Sequence, residues 1–128
     1  GLNSKRLNML LAVLEKRAGI QLSNKDVFLN ITGGVKSEDP SLDLAIVSAI
    51  LSSYHDTPLN DKICFASEIG LSGELRPVHK LDKRISEAKK LGYQEFVTSN
   101  FKKDFTEKNG IKILGLDKIG SLITNLFK

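Results

Sequence analysis

Alternating helix-like and strand-like segments along 128 residues predict an α/β (α+β) fold with a mixed sheet and packed helices. Three observations carry this. Apolar, β-branched runs stand at 26–32, 63–66, 95–98 and 111–114. Between them lie segments whose apolar residues recur at helical spacing. Glycine and proline mark many of the joints. The length suits a single domain over 1–128 and allows a real core without disulfide or metal staples.

Leu7, Leu10, Leu11, Leu14 and Ala18 predict a helix over 4–18, with Ser4 as N-cap and Gly19 as its stop. Residues 26–32, Asp26-Val27-Phe28-Leu29-Asn30-Ile31-Thr32, read as a strand ended by Gly33-Gly34. Asp39-Pro40 starts the next helix, because aspartate caps and proline suits the first turn. Leu44, Val47, Ile50 and Leu51, with small Ala45, Ser48, Ala49 and Ser52 between them, make that helix apolar nearly all round. Such a helix belongs in the centre of a domain. Ile63-Cys64-Phe65-Ala66 is a strand, and Gly70 and Gly73 bracket a tight turn leading into Glu74-Leu75-Arg76-Pro77-Val78. Leu81, Ile85 and Ala88 share one face of a helix that ends near Gly92. Glu95-Phe96-Val97-Thr98 and Ile111-Lys112-Ile113-Leu114 are short strands. The polar stretch 100–110 reads as a mobile loop. Leu116-Asp117-Lys118-Ile119 opens a last helix carrying Leu122, Ile123 and Leu126.

Two stretches carry a more specific signal. Asp39-Pro40-Ser41-Leu42-Asp43-Leu44-Ala45 resembles the Pro-Ser-Ala-Gly segment that holds the nucleophile of Lon-type serine proteases. The second Lon segment, Thr-Gly-Glu…Leu-x-Gly…Pro-Val-Gly-Gly-Leu-Lys, matches Glu68, Leu71, Gly73, Pro77, Val78 and Leu81. The lysine that should deprotonate the serine then falls on Asp82. A carboxylate cannot replace a desolvated amine of lowered pKa, so Ser41 loses its expected activator.

The run Arg6-Leu7-Asn8-Met9-Leu10-Leu11-Ala12-Val13-Leu14-Glu15-Lys16-Arg17-Ala18-Gly19 resembles the start of the C-terminal Lon-like domain of bacterial RadA (Sms) DNA repair proteins. So do Gly33-Gly34-Val35, Asp43-Leu44-Ala45-Ile46 and the segment from Gly70 to Val78. The resemblance covers roughly 5–100. Ser67 departs from it, standing where glycine is expected before the glutamate. Ser41 departs too, since RadA proteins often carry alanine there. The resemblance implies a Lon protease proteolytic-domain-like fold for 1–128, a pseudoprotease excised from the C-terminus of a longer protein. It further implies a DNA-dependent ATPase or helicase as parent, working in recombination and branch migration as a homo-hexameric ring on DNA with a RecA-type recombinase as partner. ATP, Mg and Zn would belong to upstream domains. No Gly-x-x-x-x-Gly-Lys-Ser/Thr loop occurs in the chain, so no cofactor is expected of this domain.

The remaining numbers narrow the classes. A net charge of +4 permits nucleic-acid contact without requiring it. One cysteine, Cys64, excludes a disulfide framework and reads as a buried structural thiol. No segment resembles a signal peptide or reaches the ~18 apolar residues of a membrane span, so a cytoplasmic protein is expected and no membrane partner.

Ser41 is either a nucleophile at a helix N-terminus or an ordinary first-turn residue. Lys80 and Lys83 flank Asp82 but lie about 200° and 100° from it around the helix. Neither can take the missing lysine's place. His55 and His79 form no metal-ligand pattern and read as surface or loop residues; His79 occupies one of the Lon glycine positions. Lys36, Arg76, Lys80, Lys83 and Arg84 gather around the former cleft as candidate phosphate contacts, partly offset by Asp39, Asp43 and Asp82. Lys89-Lys90 and Lys102-Lys103 read as solvated charges. Aromatics are not interleaved with the basic residues, so base stacking is not indicated. The expectation is a non-proteolytic domain for ring assembly and sequence-independent DNA binding. The rivals are a Ser-Lys peptidase using Ser41 and a purely structural oligomerisation module.

Overall fold

The computed structural model describes residues 4–20, 39–100, 106–108 and 110–127. Helix α1 spans Ser4–Arg17 and buries Leu10, Val13 and Leu14. Its apolar stripe is therefore centred on Leu10 and Leu14, with Leu7 and Leu11 only half buried at its margin. The expected strand at 26–32, its Gly33-Gly34 stop and Lys36 all lie outside the described residues.

Asp39-Pro40 does start a helical segment, but the first turn is tighter than expected. Pro40–Leu42 form one 3-10 turn, and helix α2 follows over Asp43–Tyr54. Leu44, Val47, Ile50 and Leu51 are each at most 1% exposed, so α2 is central as its composition implies. Each such side chain contributes about 1.5–3 kcal/mol on burial.

Strands β1 (Ile63–Ala66), β4 (Glu95–Ser99) and β6 (Ile111–Leu116) run parallel in the order β1-β4-β6. Strand β5 (Thr106–Lys108) pairs antiparallel with β6 and makes the sheet mixed. It lies within the polar stretch read as a loop, where nothing but backbone pairing to β6 marks a strand. Strands β2 (Glu68–Ile69) and β3 (Leu75–Arg76) form a separate antiparallel ribbon. At its turn Gly73 N–H donates to the Gly70 carbonyl at 2.9 Å, and Gly73 sits at φ 81°, where a side chain would be strained.

Helix α3 (Leu81–Lys90) ends as expected, with Gly92 at φ 94° just past its C-cap. Helix α4 spans Ile119–Leu126, three residues later than the sequence suggests. Leu116 is held in the sheet opposite Ser99, and Lys118 is extended and bridged to Glu74. Pairing to neighbours outweighs local helix preference there.

The period-2 alternation of the strands splits the apolar residues between two layers. Phe65, Val97 and Leu116 pack with α1, α2 and α4. Ala66, Phe96, Ile111 and Ile113 pack with Ile85 and Ala88 of α3 on the opposite face. The sheet is thus covered on both sides, with α3 alone on the second face among the described helices. No described helix is long and apolar enough to cross a membrane.

Candidate functional site

A groove lies between α3 and the 3-10 turn. The cavity is about 390 Å³ and is lined by Ser41, Leu42, β1 residues Cys64, Phe65 and Ala66, and the near face of α3. Lys80, Lys83 and Arg84 stand along it together with one carboxylate, Glu87, and with Tyr93 and Phe96 from the approach to β4 and β4 itself. Of the two segments singled out in the sequence, the first brings Ser41 and Leu42 to the groove and the second only Lys80. The second segment's matched positions from Glu68 to Leu81, and Asp82, do not line it, and the second wall is the rest of α3.

Ser41 is 5% exposed and tightly held. Its N–H donates to the Asp39 carboxylate at 3.0 Å, its carbonyl accepts from Ser67 N–H at 3.1 Å, and its hydroxyl accepts from Arg84 Nη1 at 3.2 Å. The hydrogen bond from the Ser41 backbone, helped by its hydroxyl and by the charge of Arg84, holds the Asp39 carboxyl below its ordinary pKa. Neither neighbour suits a serine nucleophile. A guanidinium stays protonated and cannot accept a proton. A carboxylate of lowered pKa is a weak base, far from the operating pH that general-base catalysis needs.

Asp82 is exposed in the first turn of α3, where the helix dipole favours a negative charge. Just before it, Lys80 adopts the left-handed conformation (φ 56°, ψ 44°) and its carbonyl accepts the Arg84 N–H at 3.0 Å. That position is one of the paired glycines in the Lon pattern. Lysine bears a conformational cost of about 1–2 kcal/mol there. Arg84 is half buried and fixed by a second bond, Nε to the His79 carbonyl at 2.8 Å.

Three of the five candidate cations, Lys80, Lys83 and Arg84, thus share the groove. Arg76 does not line it. It stands on β3, half exposed, paired with Glu74 at 2.9 Å, and that hydrogen bond lowers the Glu74 carboxyl. Lys36 falls outside the described residues. Lys89 and Lys90 are exposed, as read.

Asp43 does not offset the groove's charge. It is fully buried and forms a two-pronged ion pair with Arg6, Arg6 Nε donating to Oδ1 at 2.6 Å and Nη2 to Oδ2. Oδ2 also accepts the Ile69 N–H at 3.0 Å. The pair with Asp43 raises the Arg6 pKa, and Glu68 adds a longer contact at 3.7 Å. Arg6 was the residue the sequence reading missed. A cation four residues before Leu10, in phase with the buried stripe, was its signal. Ser67, the departure from glycine, is also buried, and its hydroxyl is shared between the Glu68 and Arg76 carbonyls at 3.0 and 2.9 Å. It ties the ribbon together.

Three readings change. Cys64 is half buried and lines the groove instead of lying wholly in the core; burial pushes its thiol pKa up, which suits an inert role. His79 is exposed, but His55 is half buried, its ring edge-on to Tyr54 and stacked on Phe127 at 5.7 Å. Aromatics and cations, separate in sequence, are gathered by the fold into one groove. No His, Cys, Asp and Glu cluster among the described residues could hold a metal.

Comparison with known proteins bears on this site. Residues 4–101 match the model of the family described as subunit ChlI of Mg-chelatase. The chain is 41% identical over 124 residues to DNA repair protein RadA of Bacillus subtilis (strain 168), which covers 96% of this chain and 27% of that protein. It is 42% identical over 128 residues to DNA repair protein RadA of Streptococcus pneumoniae (strain ATCC BAA-255 / R6), covering 99% and 30%. The Listeria monocytogenes protein of the same name is 36% identical over 124 residues, covering 96% and 27%. The chain therefore spans about three tenths of the length of these curated relatives. With the family model matched across both walls of the groove, the chain belongs to the ChlI family, and the relatives it resembles over its whole length are DNA repair proteins named RadA.

Proposed function

We propose that this chain is a non-proteolytic, Lon-like domain of a RadA-type DNA repair protein. The observation that supports it most is the Ser41 hydroxyl in the grip of Arg84, with Asp82 where a Ser-Lys dyad needs lysine. An arginine so placed makes the former cleft an anion-binding surface. Lys80, Lys83 and Arg84 would meet the phosphate backbone of DNA without reading its bases. Lys36 and Arg76 would extend that surface if they turn toward it.

In this reading the domain also builds a ring, most simply a homo-hexamer, through head-to-tail contacts. The parent protein would be a cytoplasmic, DNA-dependent ATPase of recombination and branch migration, with a RecA-type partner, and with ATP, Mg and Zn bound by other domains. Two assays test the core of this. The chain should not hydrolyse unfolded casein, and Ser41→Ala, which leaves Arg84 its bond to the His79 carbonyl, should weaken DNA binding of the parent protein by no more than a few-fold. Casein hydrolysis that Ser41→Ala abolishes would establish a working peptidase instead.

A further inference from the structure

The cations of the groove serve the reading above, but its apolar half does not. Leu42, Phe65 and Tyr93 are half buried in the same cavity, and Phe96 closes the floor. Leu91 stands on the rim at 76% exposure, one of two large apolar side chains left open to solvent among the described residues. A phosphate backbone gains nothing from these groups. Apolar surface gathered in a concave site and edged with charge marks a docking surface.

We propose that this groove binds an extended protein segment in which a large apolar side chain is flanked by carboxylates. The apolar side chain packs against Leu42, Phe65 and Leu91. The carboxylates meet Lys80, Lys83 and Arg84, which outnumber the one lining carboxylate, Glu87, and Arg84 is pre-aimed by its bonds to Ser41 and His79. Charge complementarity selects this occupant over two others. A nucleobase would bring polar edges that must be paired once buried. The lining meets them with the Cys64 thiol, a Ser41 hydroxyl that Arg84 already occupies, the Tyr93 hydroxyl and the Glu87 carboxylate, and the last would repel the phosphate that a nucleobase carries with it. Among the described residues a second copy of the chain would offer Leu71, the other exposed leucine, yet Leu71 sits beside Lys16 and Arg17. That pairing sets cations against cations. An acidic segment in the groove would take the same cations that DNA phosphates need, so the two ligands compete. This goes beyond the DNA reading and does not depend on it.

The test uses a fluorescein-labelled hexapeptide, Glu-Asp-Leu-Phe-Asp-Glu, titrated with the chain and followed by anisotropy. Replacing Leu-Phe by Ser-Ser in the peptide should weaken binding about tenfold or more, and Leu91→Asp should do the same. Lys80→Glu with Lys83→Glu should also weaken it, whereas Lys89→Glu with Lys90→Glu, which reaches the groove only by releasing Glu87 from Lys90, should weaken it far less. All five substituted positions are exposed, so each variant should keep the wild-type circular dichroism spectrum; reversing the two cations in the last turn of α3 should lower the melting temperature by only a few degrees. Equal binding of the serine peptide, or no effect of Leu91→Asp, overturns the proposal. So does a Leu91→Asp effect of the same size on a short single-stranded oligonucleotide, which would make the groove a nucleotide site. Loss of DNA affinity on cation reversal, read separately, reports on the DNA proposal alone.

Discussion

Ser41 and Asp82 carry the proposal of a lost Ser-Lys dyad, which rests on the chain order of two segments and on residue type alone. Arg6 and Asp43 show what stays hidden. Asp43 was legible as a charge near the cleft, but the direction it faces depends on α1 lying across α2, a contact between distant segments. Asp43→Ala would strand the Arg6 guanidinium and the Ile69 N–H, lowering the unfolding free energy by about 3 kcal/mol. Urea denaturation measures this, and a loss below about 1 kcal/mol would mean the pair behaves like a surface salt bridge. Lys80 makes an opposite case, since its left-handed backbone carries a cost kept at the groove's edge. Lys80→Gly should raise stability by up to about 1 kcal/mol while weakening DNA binding. Destabilisation by glycine would show that the lysine side chain supports the fold itself.

At the scale of elements, α1, β1 and α3 were legible within about a residue or two, because periodicity, caps and glycine stops agreed, and α2 was legible except for the 3-10 form of its first turn. Strand β5 and the late start of α4 were not, because partners elsewhere in the chain impose them: β6 for the first, Ser99 and Glu74 for the second. The groove itself is a property of element placement. Phe65, Tyr93 and Phe96 are remote from Arg84 in type of segment, and only the sheet brings them beside α3. The turn before α2 offers a direct test. The Asp39 carboxyl has a folded-state pKa below its unfolded value, so its contribution is present above about pH 4 and is lost as pH falls through the folded value. Asp39→Ala should cost about 1 kcal/mol near neutral pH by removing the cap. The gap between variant and wild type should narrow as pH falls below about 4. Thermal melts across pH check this, and a gap independent of pH would mean the charge plays no part.

At the scale of the molecule, an α/β domain with packed helices was legible from alternation, whereas the covering of both sheet faces and the assembly were not, since no sequence pattern assigns a helix to one face or marks a subunit face. The ring proposed here predicts that sedimentation of the parent protein finds a closed oligomer. A strict monomer at all concentrations removes that role. The claim that joins residue, element and whole is that a protease-like cleft holds anions instead of cleaving peptides. Its most direct test is the salt dependence of DNA binding by the parent protein, comparing wild type, Lys80→Glu with Lys83→Glu, and Lys89→Glu with Lys90→Glu. Two or three phosphates neutralised per domain give a log–log slope of roughly −2 to −3 for each domain engaged on duplex DNA. Reversal of the groove pair should flatten that slope by about 2 per engaged domain and lower affinity, with the second pair left near wild type. Equal losses from both pairs would show that general charge, and not this groove, holds the DNA.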